Sequence, residues 1–81
     1  MRVTAQAGRA GFWTPWLSSH LPQEVRARVT GVVEREGTLV IFAESAAWSA
    51  RLRFAAQELE AQILAAAPGL KEVRVRVRPR D

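Results

Sequence analysis

From Trp48 onward the apolar residues recur every three or four positions, and Trp48, Leu52, Ala55, Leu59, Ile63 and Ala66 form one stripe. Arg51, Arg53, Glu58, Glu60 and Gln62 lie off it. That period predicts a long helix with one buried face. Ser45 stands where such a helix needs an N-cap, because its hydroxyl can accept from a free N–H of the first turn. Pro68-Gly69 ends the helix, since proline cannot continue it and glycine accepts the turn.

Other segments follow the two-residue period of strands. Val73, Val75 and Val77 alternate with Arg74, Arg76 and Arg78, which gives a covered side and a cationic side, and Pro79 stops the strand. Upstream, Val29, Thr30, Val32 and Val33 are β-branched, with Gly31 among them at a bulge position. Thr38 to Ala43 is the most apolar stretch, and the polar Glu34-Arg35-Glu36-Gly37 before it reads as a hairpin turn.

Near the N-terminus, Phe12, Trp13, Trp16, Leu17 and Leu21 make a dense apolar cluster. Thr14-Pro15 has the form of an N-cap followed by proline at the first helical position, so a helix is predicted to start there. Pro22 interrupts it and opens a short second turn, to which Gln23 and Glu24 are suited. Residues 1–11 show no clear apolar period and are expected to be a flexible arm, with residues 12–81 a single domain. The order helix, strand, strand, helix, strand predicts an α+β fold. A three-stranded sheet covered on one face by both helices would bury every stripe described.

The 81 residues allow one domain, and a chain this short buries only about 60% of the surface its unfolded form exposes. Cysteine is absent and His20 is the only histidine, so packing alone must hold the fold, and no metal or cofactor site is expected. No apolar run approaches the roughly 20 residues of a membrane helix. The polar first ten residues lack the apolar centre of a signal peptide, which points to the cytoplasm. The chain carries a net charge of +4, from 12 basic residues of which Lys71 alone is not arginine. Such an excess favours an acidic partner, either nucleic acid or an acidic protein face.

Candidate chemistry is sparse on the catalytic side. The chain has no glycine-rich phosphate loop, no nucleophile elbow and no paired-histidine motif, and His20 has no evident nucleophile or carboxylate beside it. Binding is better represented. Alternation spaces Arg74, Arg76 and Arg78 about 6.5 to 7 Å apart on one strand face, near the spacing of successive phosphates. A solvated edge strand whose charges discourage aggregation is the competing reading. Arg51 and Arg53 oppose the dipole at the start of the long helix, and either reach an acidic partner or pair with Glu44 or Glu58. Glu34, Glu36 and Glu44 flank the hairpin and keep its edge soluble. Trp48 leads the helical stripe and is expected in the core. Trp13 and Trp16 are divided between the core and an interface with a partner protein.

The run from Gly37 to Arg53 resembles the bacterial DciA-type domain: a Gly-x-Leu-x-Val-like strand, a Ser45-Ala46-Ala47-Trp48 helix start and a Leu52-Arg53 pair. Leu21-Pro22 before the first strand, Leu59, Ile63, the Pro-Gly break and the closing Val/Arg strand extend the resemblance over roughly Trp16 to Pro79. It implies a K-homology-like fold and a non-enzymatic adaptor that binds the hexameric replicative helicase and helps load it onto DNA. It also implies weak, sequence-independent binding of single-stranded DNA, here assigned to Arg51, Arg53, Arg74, Arg76 and Arg78. Trp13, Trp16 and Leu17 are then the expected protein interface, on a cytoplasmic, nucleoid-associated monomer. The K-homology Gly-x-x-Gly clamp is missing, so the usual single-strand grip of that fold is not implied. A general single-stranded nucleic-acid binder and a pure protein-interaction module are the rival functions.

Overall fold

A computed structural model describes the backbone of residues 4–80 and the side chains of residues 11–80. Its strands are β1 (Val29–Arg35), β2 (Thr38–Ala43) and β3 (Glu72–Val77). Between β1 and β2 lies a two-residue turn, Glu36 at φ 50° and Gly37 at φ 82°. Two consecutive left-handed residues are what a tight hairpin with the native strand twist requires. The pairing is antiparallel from Arg35 opposite Thr38 to Val29 opposite Ala43, with a bulge between Val29 and Gly31. The Gly37 carbonyl accepts from the N–H groups of Lys71 (2.7 Å) and Glu72 (3.1 Å), which starts β3 beside the turn. β3 runs parallel to β2, so the sheet order is β1-β2-β3.

The crossover to β3 is α3 (Ala46–Ala66). Ser45 caps it as expected, its hydroxyl accepting from the Trp48 N–H at 3.3 Å. The buried line is Ser49, Leu52, Ala56 and Ile63, with Ala55 and Leu59 half-covered and Ala66 exposed. The stripe therefore sits slightly rotated from the predicted one, and Ala67, just past the helix, takes the buried place expected of Ala66.

The first helix, α1 (Thr4–His20), is longer than predicted. It starts at Thr4 and not at Pro15, and residues 4–11, expected within a flexible arm, continue the helix; residues 1–3 of that arm lie outside the described residues. The physical reason is propensity: Ala5, Gln6, Ala7, Arg9 and Ala10 are good helix formers, and they carry the helix through a proline. Pro15 removes one N–H, and the carbonyl it would have bonded belongs to the exposed Gly11, which water can serve. The short α2 (Gln23–Arg26) follows Pro22 as its N-cap.

Leu39, Ile41 and Ala43 of β2 form one core with Trp13 and Leu17 of α1, Leu52 and Ile63 of α3, and Val75 of β3. The architecture is thus the expected α+β sheet with its helices on one face, compatible with a small K-homology-like fold. On the other face stand Val33, Val40 and Phe42, and among the described residues no helix covers them.

Candidate functional site

The arginine strand is built as its alternation predicts. Val75 is buried and Val73 half-buried beneath α3, whereas Arg74 and Arg76 are exposed on the uncovered face, opposite Val40 and Phe42. Arg78 continues the row, its guanidinium 4.4 Å from the centre of the Phe42 ring. Gly31 leaves room for that approach: a Cβ there would meet the tip of the Arg78 side chain, which would have to swing aside. Thr30 completes the seat, its hydroxyl donating to the Arg78 carbonyl at 2.8 Å. The result is a small platform with an apolar centre, where Val33 keeps 38% of its surface, bordered by three cations.

Arg53 joins this strand from the helix side. It lines a groove of about 390 Å³ between α3 and the outer edge of β3, with Ala56, Gln57 and Glu60 on the helix and residues 73–76 on the strand. Arg53, Arg74 and Arg76 therefore belong to one region, with Arg78 at its end.

Arg51 lies elsewhere. Residues 51 and 53 point to different sides of a helix, and Arg51 instead sits 5.2 Å from the Trp48 ring. Arg28 approaches the same indole at 5.1 Å, so Trp48, half-buried at the core's margin, carries two cations. Beside it Glu44 accepts from Arg80 Nε at 2.9 Å and Arg28 at 3.0 Å. The hydrogen bond from Arg80, then that from Arg28 and the two positive charges, hold the Glu44 carboxyl below its ordinary range against the opposing effect of burial. Arg80 also donates to the Ala27 carbonyl at 2.9 Å. Arg28 and Arg80 thus tie the entry to β1 and the C-terminal end to Glu44, whereas Arg51 is exposed and also lines the depression that holds Phe54.

The expected protein interface needs correction. Trp13 is 0% and Leu17 4% exposed, because the helix face that carries them closes the core over β1 and β2. Such residues have no surface to give a partner in this fold. Trp16 remains half-exposed, stacked on His20 at 3.8 Å. The His20 Nδ1 is 2.8 Å from the Trp16 carbonyl, a helix-end contact. Sequence reasoning missed Phe54, which is 67% exposed on α3. It stands with Pro22, Val25 and Ala55 around a shallow apolar depression, and Leu59 and His20 extend the patch. The signal was available: an aromatic residue two positions past Leu52 falls outside the buried stripe, and a large exposed ring calls for a reason.

Residues 4–75 match the family described as Dna[CI] antecedent, DciA. The chain belongs to the DciA family. Membership links it to DNA replication and the loading of the replicative helicase. The matched stretch takes in α1, the hairpin, all of α3 and the start of β3, including Arg51, Arg53 and Arg74, and ends before Arg76 and Arg78. No curated protein matches the chain. Among the described residues, no helix is long and apolar enough to cross a membrane.

Proposed function

We propose that this DciA-family chain is a non-enzymatic adaptor that binds the replicative helicase ring and assists its loading onto DNA. Family membership over residues 4–75 is the observation that carries the helicase partner. The exposed row of Arg74, Arg76 and Arg78 supports a second contact, with single-stranded DNA. Phosphates meeting such a row gain affinity without base readout, so the contact is weak and sequence-independent. Phe54, with Trp16 and the exposed Phe12 on α1, offers apolar surface to the helicase in place of the buried Trp13 and Leu17. The protein acts as a monomer in the cytoplasm, close to the nucleoid.

Size-exclusion chromatography of the protein with its own organism's replicative helicase, with and without single-stranded DNA, tests this reading. Co-elution with the helicase is the expected result. Elution alone, with a shift only on adding DNA, would make the chain a general single-strand binder. An ionic-strength series checks the DNA contact separately: about three phosphate contacts on a single strand predict log affinity falling against log salt with a slope near −2. A salt-independent affinity would sink the phosphate-row mechanism.

A further inference from the structure

β3 is an edge strand whose outer side is offered to a groove, and the direction of its backbone groups follows from its pairing. The Glu72 N–H bonds the Gly37 carbonyl, and the Arg78 N–H bonds the Ala43 carbonyl. In a parallel ladder every second residue addresses the neighbouring strand, so Arg74 and Arg76 bond β2 between these two. Val73, Val75 and Val77 therefore turn their N–H and C=O groups away from the sheet. Among the described residues no strand pairs with them. The opposite edge differs, since β1 is broken by its bulge, a common way of closing an edge to further pairing.

The groove along that edge has a distinct chemistry. Ala56 lines it together with Val73 and Val75, and a side chain as small as alanine leaves room along the strand. Arg53 on α3 and Arg74 and Arg76 on β3 line it with one carboxylate, Glu60, and Arg74 is also ion-paired with the neighbouring Glu72 at 3.4 Å. Gln57 adds an amide that can both donate and accept. Nucleic acid satisfies the cations but leaves alternating N–H and C=O groups on the strand unanswered. A peptide strand answers both, and acidic side chains on it meet the arginines.

We propose that the α3–β3 groove takes an extended, acidic segment of a partner protein, which adds to the sheet as a fourth strand beside β3. This site is distinct from the phosphate row on the uncovered face, although Arg74 and Arg76 border both. It does not require the partner to be a helicase.

The test uses the whole chain, isotope-labelled, and three probes of equal charge. These are a blocked peptide of four Glu-Val repeats, the same peptide with its central valines replaced by proline, and a short oligothymidylate. The repeat peptide is expected to bind saturably and to slow amide exchange at Val73 and Val75. The proline peptide, which cannot donate at the strand centre, should bind about tenfold more weakly. The double substitution R53E/R76E, both at exposed positions, should weaken the repeat peptide at least as much while leaving the amide spectrum of the core unchanged. The proposal is overturned if both peptides bind equally, since charge alone would then account for binding. It is equally overturned if the oligothymidylate protects the same amides, or if the repeat peptide shows no saturable binding at concentrations on the order of millimolar.

Discussion

Trp13 donates its indole N–H to Oε1 of Glu34 at 2.8 Å, joining α1 to β1 across 21 residues of sequence. Glu34 lies opposite Leu39 in the hairpin register, so it points to the covered side of the sheet. A carboxylate that sequence pattern assigns to edge protection thus satisfies the one polar atom of the most deeply buried indole. Hydrogen bonds to charged groups are worth about 1.5 to 3 kcal/mol, and a buried donor left alone costs a similar amount.

Glu34→Ala is accordingly expected to destabilise the fold by about 1 to 3 kcal/mol, read from urea unfolding. Trp13→Phe removes the same bond from the other side. A double-mutant cycle should show the two effects to be non-additive by about 1 kcal/mol or more. Strict additivity would mean that the bond contributes nothing.

The clasp of Glu44 by Arg80 and Arg28 predicts a pH dependence. The folded-state pKa lies below the unfolded value, so the contribution is fully present above pH 4.5 and is lost as pH falls through the depressed value. Glu44→Gln should therefore lower the urea midpoint at neutral pH. The gap from the parent should close in acid. A gap constant from pH 7 to pH 3 would show that the carboxylate's charge plays no part.

The hairpin turn carries a built-in cost, because Glu36 has a left-handed backbone at φ 50°. Such a conformation is unfavourable by about 1 to 2 kcal/mol for most residues with a Cβ, and asparagine tolerates it best. Glu36→Asn is expected to raise stability by up to about 1 kcal/mol, seen as a higher urea midpoint with an unchanged slope.

Phe54 offers a separation of stability from partner binding. Its ring is mostly in solvent, so Phe54→Ala should change stability by no more than about 0.5 kcal/mol. Ile63→Ala, one helix face away and fully buried, should cost about 2 to 5 kcal/mol. If Phe54 anchors the helicase contact, its alanine variant will fold normally and fail to co-elute. Unimpaired co-elution would remove it from the interface.

What the sequence disclosed and what it concealed divide along physical lines. The hairpin, the Ser45 cap and the Val/Arg alternation were legible because each is a local signal, set by turn chemistry or by period. The start of α1 was not, since Thr14-Pro15 has the form of a helix start while the alanine-rich residues before it carry no apolar period. The arginines could be named but not grouped. Only the crossover through α3 brings Arg53 beside Arg74 and Arg76, while two residues of helical rotation send Arg51 to Trp48. The apolar run of β2 does not say which of its residues face the helices, and Val40 and Phe42 fall on the uncovered side, where they are only partly buried. The inward turn of Glu34 required the register, which no single segment contains.

The parallel pairing of β2 with β3 also orders events in time. Thr38 and Glu72, paired at its start, are separated by the whole of α3, whereas the β1–β2 hairpin closes over two residues. Loop closure of that length is slow and cooperative, so the cationic strand is expected to be among the last parts to find its place. Its arginines exist as charges in any state of the chain, but the ordered edge exists only once folding is complete. A ligand that needs the edge must therefore raise the melting temperature, whereas a polyanion that seeks only the charges binds folded and unfolded chains alike and raises it far less.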